Sequence, residues 1–265
     1  MYLDYWGLTE TPFKNVPIHD TFFKSPQHEE ALIRLQYTVE QRKGAAMLTG
    51  EVGSGKTTIS RVLIDGLAKD NFTVKTIVNP ALNSIDIIRN ILLKFGEETG
   101  KSSKTILLER LHRRLSDNDK QGLNTVLIID EAHLIKDRSS FEELRMLLNI
   151  QSEENFLMTL IIMGQLPLIG KVSGIKPLNE RISIRYNLEP LDPPNTVRYI
   201  LFRLKRAGAV RQIFTKASFL ELVKYSRGIP LRINNICDRC LLVGMMMKSN
   251  VIDRNITLNA IKDLK

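Results

Sequence analysis

Residues 50–57 read Gly-Glu-Val-Gly-Ser-Gly-Lys-Thr, and no other segment restricts the fold as much. Glycines at Gly50, Gly53 and Gly55 let successive backbone N–H groups turn inward around an anion with no side chain in the way. Such a loop works only between a strand and a helix, because the helix that follows aims its positive end at the same anion. Both neighbours are written in the pattern. Ala45–Leu48 is a short apolar run after Gly44, too short for a buried helix, and Ile59 to Leu67 has helical spacing. Residues Gly50, Glu51, Val52, Gly53, Ser54 and Gly55 are therefore expected to cradle phosphate. Lys56 would supply a point charge for the β- and γ-oxygens, and the Thr57 hydroxyl a ligand for magnesium.

Further short apolar runs follow at Thr73–Val78, Thr125–Ile129 and Leu157–Met163. Between them, Ile85 to Phe95, Ile106 to Leu115 and Phe141 to Ile150 have helical spacing. Strands alternating with helices predict βαβ units and a parallel sheet covered on both faces. Ile182, Ile184, Tyr186 and Leu188 alternate with Ser183, Arg185 and Asn187, which suits a fifth, half-buried strand. Asp192-Pro193-Pro194 breaks this pattern, and everything after it has helical spacing: about 196–207, 217–225, 230–248 and 257–264. Before the loop, Trp6, Gly7, Pro12, Phe13 and Pro17 mark an irregular, turn-rich stretch, and Ser25-Pro26 opens a helix. The expected fold is α/β: a parallel five-stranded P-loop sheet sandwiched by helices, then a small all-α domain. The expected boundaries are 1–43 for an N-terminal linker and helix, 44–191 for the sheet domain and 192–265 for the helical one.

A second motif begins about 75 residues after the loop. Val126-Leu127-Ile128-Ile129-Asp130-Glu131 is an apolar strand ending in two acids. Asp130 is expected near the loop's magnesium, usually through water. Glu131 can polarise the water that attacks the γ-phosphate, so the pair argues for hydrolysis over transfer to a small substrate. Gln165, just past the run ending at Gly164, either reaches between that water and the γ-phosphate or serves only as a strand-end turn. Arg181 precedes the fifth strand, where an exposed guanidinium either points to a neighbouring subunit's phosphate or is merely solvated. Arg185, on the strand itself, is the poorer choice.

Charge adds a second asymmetry. The net charge is +9, and residues 191–265 hold 14 Lys and Arg against 5 Asp and Glu, while the first 190 hold 24 of each. The basic part either faces something acidic, such as nucleic acid or an anionic surface, or is a solvated helical face. Cys237 and Cys240 are the only cysteines, and the histidines (His19, His28, His112, His133) are scattered, so a zinc site lacks obvious ligands. They read as two small helix residues in a reducing compartment. No window approaches the roughly 18 apolar residues of a membrane span, and the N-terminus does not read as a signal peptide. A cytoplasmic location is expected, with membrane attachment through a segment outside these residues left open.

Together these motifs resemble the AAA+ ATPases, and more narrowly the general secretion pathway protein A type, related to the ATP-dependent partners of transposases. The resemblance runs through Trp6-Gly7, Pro12-Phe13, Phe22-Phe23, His28 to Leu32, Thr49 to Thr58, Asp130-Glu131-Ala132-His133, Gly164-Gln165 and Leu178 to Ile182. It ends on Gly228-Ile229-Pro230, Ile233-Asn234 and Cys237-Asp238-Arg239. It implies ATP and Mg²⁺ as ligands, Thr58 among the nucleotide contacts, Gln165 as sensor 1, Arg181 as arginine finger and residues 192–265 as a lid. It also implies a homo-oligomeric ring or filament with ATP at subunit interfaces. One departure concerns the sensor 2 arginine, which the family places directly after Gly-x-Pro. Here that position is Leu231, and Arg232 comes next, turned by about 100° on a helix. Arg232 either reaches the nucleotide from a rotated start or leaves the lid a weak sensor. Three functions fit: an ATPase that assembles or remodels a secretion or cell-envelope complex, a DNA-binding ATPase that recruits or regulates a transposase, and a slow nucleotide-controlled oligomerisation switch.

Overall fold

The computed structural model describes residues 2–16, 22–67, 71–78, 80, 83–153 and 155–264; Pro17 and His19 lie outside them. The described residues form two compact units, one drawn from 27–50 and 56–188, the other from 1–26, 51–55 and 189–265.

The first unit is built on a five-stranded sheet of β1 (Ala45–Gly50), β2 (Phe72–Val78), β3 (Asn124–Asp130), β4 (Met158–Gly164) and β5 (Ile182–Leu188). Every ladder is parallel and the spatial order is β2-β3-β4-β1-β5. After β1 the chain crosses to the far edge, returns through β3 and β4, and closes with β5 on the other side of β1. The three inner strands are buried at every position, as a sheet covered on both faces requires. The edge strands are wetter. β5 alternates, with Ser183, Arg185 and Asn187 exposed and Ile184 and Tyr186 only half-buried. Helices α2 (Pro26–Glu40), α3 (Lys56–Leu67), α4 (Ser84–Lys94), α5 (Lys104–Lys120) and α6 (Arg138–Leu147) pack around the sheet. Asn83 and Ser103 cap α4 and α5, accepting from the N–H groups of Asp86 and Ile106. The core runs through Ile87, Ile91, Leu107, Leu111, Leu127, Ile129, Leu144, Leu160 and Ile162. Two short helices that apolar spacing does not announce, α7 (Pro167–Ser173) and α8 (Lys176–Arg181), connect β4 to β5.

The second unit is helical: α9 (Pro193–Arg206), α10 (Lys216–Ser226), α11 (Pro230–Met246) and α12 (Arg254–Lys262). Asp192, Thr215 and Asp253 each cap the helix that follows, through bonds to the N–H groups of Asn195, Ser218 and Ile256. The N-terminal stretch belongs to this unit. It begins with a short helix, α1 (Tyr2–Trp6), where turn residues suggested only irregular chain. Trp6 is 2% exposed, and its indole N–H donates to the Leu241 carbonyl at 2.9 Å. Arg203 clamps the next turn, donating to the carbonyls of Pro12 (2.6 Å) and Lys14 (2.8 Å) and to the Tyr199 hydroxyl (3.0 Å). No helix of the described residues is long and apolar enough to cross a membrane.

Candidate functional site

In a parallel sheet all strands end at the same edge, and this is where ligands bind. The registers Thr49↔Gly164 and Ile129↔Ile162 align the exits of β1, β4 and β3 side by side. Lys56 opens α3, Asp130 ends β3, Glu131 follows it and Gln165 follows β4. Four residues chosen from three separate motifs thus lie at one edge of one sheet.

Their contacts are specific. The Thr57 hydroxyl donates to Asp130 Oδ2 at 2.8 Å, and the Glu131 N–H donates to Asp130 Oδ1 at 2.9 Å, so both oxygens of this buried carboxylate have a partner. Lys56 is 6% exposed, and its ammonium donates to the Gly50 carbonyl at 3.0 Å. Burial pulls the Lys56 pKa below the usual lysine value, opposed by the negative charges of Glu131 and Asp130. A desolvated ammonium gains most from an anion brought alongside it. Glu131 has φ 54° and ψ 33°. A left-handed residue other than glycine costs about 1–2 kcal/mol, and such strain concentrates at functional sites. The Glu131 carboxylate lies 3.3 Å from His133 Nδ1, and the Gln165 backbone N–H donates to the same nitrogen at 3.3 Å. His133 is the one residue here that sequence reading left without a role, although it stands in the Asp130-to-His133 run.

Residues 51–55 join β1 to α3. Gly53 and Gly55 have φ values of +77° and +107°, the left-handed half of conformational space that glycine enters without strain. The Gly53 carbonyl accepts from the Leu231 N–H at 3.2 Å, and a Cβ at Gly53 would fall 2.4 Å from that of Leu231. Leu231 therefore packs on the loop from the first turn of α11, while Arg232 beside it is exposed.

One expectation needs correction. Arg181 is not a freely exposed side chain: it is half-buried at the end of α8 and donates to the Leu148 carbonyl at 3.2 Å. The exposed arginine is Arg185, whose guanidinium bonds the Asn179 carbonyl and side chain. On α9, Arg203 is buried at the Pro12–Lys14 turn, so it belongs to no basic surface. Arg198 and Lys205 are exposed on the same helix. Cys237 and Cys240 are both buried in the helical core, and no metal-binding cluster of His, Cys, Asp or Glu occurs among the described residues.

The residues present suit a magnesium nucleotide. Thr57 and Asp130 bring together two hard oxygen donors, the ligand type Mg²⁺ requires. The loop's left-handed glycines and the buried ammonium of Lys56 suit the phosphates.

A parallel sheet in this order, with a glycine loop after β1 and paired acids after β3, defines a P-loop ATPase of the AAA+ class. The chain belongs to the AAA domain family, which matches residues 39–171. It is 36% identical over 256 residues to general secretion pathway protein A of Aeromonas hydrophila, covering 95% of this chain and 46% of that protein. The chain thus spans less than half the length of that relative. Among solved structures, Cdc6p from Pyrobaculum aerophilum is similar with a TM-score of 0.72 at 16% identity, over 91% of this chain and 67% of that one. A Drosophila ORC bound to DNA gives 0.73 at 16%, over 100% and 66%. The RuvB Holliday junction branch migration motor of Thermotoga maritima gives 0.61 at 20%, over 96% and 74%. At these identities the likeness is one of fold.

Proposed function

We propose that this chain binds and hydrolyses ATP with Mg²⁺, and uses the cycle in an oligomer to assemble or remodel a secretion or cell-envelope complex. The observation that carries the chemistry is the meeting of Thr57 with Asp130 at 2.8 Å beside the left-handed Glu131. The process rests on the 36% identity to a secretion protein over 95% of this chain. Bound Mg²⁺ would withdraw charge from the phosphate oxygens. Residues Gly50, Glu51, Val52, Gly53, Ser54, Gly55 and Thr58 line the phosphates, and the ammonium of Lys56 lies against their β- and γ-oxygens. Thr57 and Asp130 would hold the metal. Glu131 takes a proton from the attacking water, and Gln165 helps to orient that water. Arg181 of one subunit, released from Leu148, serves its neighbour's site as arginine finger, and Arg232 is the lid's nucleotide contact.

Lys56→Ala should lose binding of a fluorescent ATP analogue. Thr57→Ala should still bind nucleotide and lose the response to Mg²⁺ against EDTA. Unchanged binding by Lys56→Ala would contradict the phosphate assignment.

A second reading, action on DNA, draws on the excess of 14 cations over 5 acids in residues 191–265. Arg198 and Lys205 are the residues to reverse in charge, because both are exposed. If DNA is the partner, affinity should fall with salt at a log–log slope near −0.9 per phosphate neutralised, and the double reversal should flatten that slope by about one to two units. Absence of DNA binding at low salt by the ATP-loaded protein would sink this reading and leave the secretion-type role.

A further inference from the structure

His133 sits in the short 3₁₀ turn Ala132–Leu134 that follows β3, and the turn is held from outside. The Lys171 ammonium of α7 donates to the carbonyls of His133 (2.5 Å) and Ile135 (2.7 Å), which fixes the backbone on both sides of the imidazole. The side chain is only 12% exposed. It lies so close to the end of β4 that a Cβ at Gly164 would stand 3.2 Å from Nδ1 and 3.1 Å from the His133 backbone nitrogen. This crowding is a reason for a glycine at the last position of that strand.

The imidazole has two partners at one atom. Nδ1 is 3.3 Å from Glu131 Oε2 and 3.3 Å from the backbone nitrogen of Gln165. In a neutral imidazole each ring nitrogen carries either a proton or a lone pair. With the proton on Nδ1 it donates to Glu131; with the proton on Nε2 it accepts from the Gln165 N–H. One tautomer cannot serve both. Nδ1 is therefore a junction where the carboxylate after β3 and the backbone after β4 compete for one atom.

We propose that His133 is a positioning residue for the hydrolytic step: in the tautomer with its proton on Nδ1 it fixes the direction of the Glu131 carboxylate, and in the other it lets the carboxylate go and accepts from the Gln165 N–H instead. This rests on the reading of Glu131 as the residue that activates water. A base must be within hydrogen-bond reach of the proton it takes, so geometry matters before basicity. Glu131 is 37% exposed and its side chain carries two methylene groups on which the carboxylate can swing; a proton on Nδ1, 3.3 Å away, would bond the carboxylate and remove that freedom. The polar contacts of the imidazole among the described residues are to Glu131 and Gln165 and not to Lys56, Thr57 or Asp130, so its loss should act on turnover and leave nucleotide affinity alone.

The test uses the full chain and five variants, with ATP turnover, ATP-analogue affinity and melting temperature measured for each. His133→Ala should lower kcat by about 10- to 100-fold, less than the roughly 10² to 10⁴ that loss of the base itself costs, because the base is misaligned and not removed. Its affinity for the analogue should be unchanged. His133→Asn puts an amide where Nδ1 was and should regain most of the rate, whereas His133→Gln puts it where Nε2 was and should not. In a Glu131→Gln background, His133→Ala should cost nothing more, because the group it positions is gone. Parental turnover in His133→Ala, equal rates for the Asn and Gln variants, or a full additional loss in the double variant would each overturn the proposal. If the alanine variant does not fold, the Asn-against-Gln comparison decides alone. Glu131→Gln turning over at the parental rate would instead refute the role of Glu131, which is read separately from the Asn-against-Gln ratio.

Discussion

Gly53 meets two demands at one atom: a φ of +77°, and a neighbour, Leu231, whose Cβ would stand 2.4 Å from its own. Gly53→Ala should therefore cost the left-handed strain of about 1–2 kcal/mol and, in addition, the overlap. Thermal unfolding of Gly53→Ala alone and combined with Leu231→Gly separates the two, since the second change removes the overlap and leaves the strain. Purely additive losses would show that the contact carries no energy. The cysteines make a prediction about pH. Burial pushes the Cys240 thiol up to about 12 and raises Cys237 as well, so neither should react with alkylating agents in the folded protein near neutral pH. A thiol raised in the folded state contributes stability that is intact below the unfolded value of 9.0 and lost as pH rises toward about 12. Cys240→Ala should flatten the fall in melting temperature between about pH 9 and 12; an unaltered fall would contradict the burial argument.

At the scale of elements, Arg203 decides what α9 can do. Its guanidinium holds two carbonyls and a hydroxyl, and bonds to a charged group are worth about 1.5–3 kcal/mol each. Arg203→Glu should thus destabilise the helical unit by roughly 3 kcal/mol or more, while Arg198→Glu stays within about 0.5 kcal/mol. Equal melting temperatures for the two variants would refute the clamp. The sequence legibility of elements follows from how each is stabilised. The inner strands are plain as short apolar runs, and α9 to α12 as helical spacing after Asp192-Pro193-Pro194. Helices α1, α7 and α8 are each seven residues or fewer, too short for a period to register, and depend on tertiary contacts. The attachment of Trp6 to Leu241 is likewise absent from any local pattern, because it joins residues 235 apart in sequence. Within the site, fixed-spacing motifs revealed Lys56, Thr57, Asp130 and Glu131. The link from His133 to Gln165 spans 32 residues and is visible only once β3 and β4 lie in register.

For the whole molecule the central question is whether sites are completed by neighbours. If Arg181 acts across an interface, Arg181→Ala should bind ATP yet turn over slowly at every protein concentration. Mixing it with Glu131→Gln subunits should restore some activity, because some interfaces then pair an intact Glu131 with an intact Arg181. No recovery in mixtures that co-sediment would argue against a shared site. Recovery with Arg185→Ala in place of Arg181→Ala would transfer the role to the exposed arginine of β5. Beneath all of this lies the claim that the edge formed by Lys56, Thr57, Asp130 and Glu131 hydrolyses ATP. The most direct measurement is ATP retention and turnover in Glu131→Gln beside the parent protein. The expected result is undiminished ATP binding with turnover lowered by about 10² to 10⁴. Turnover at the parental rate would contradict it.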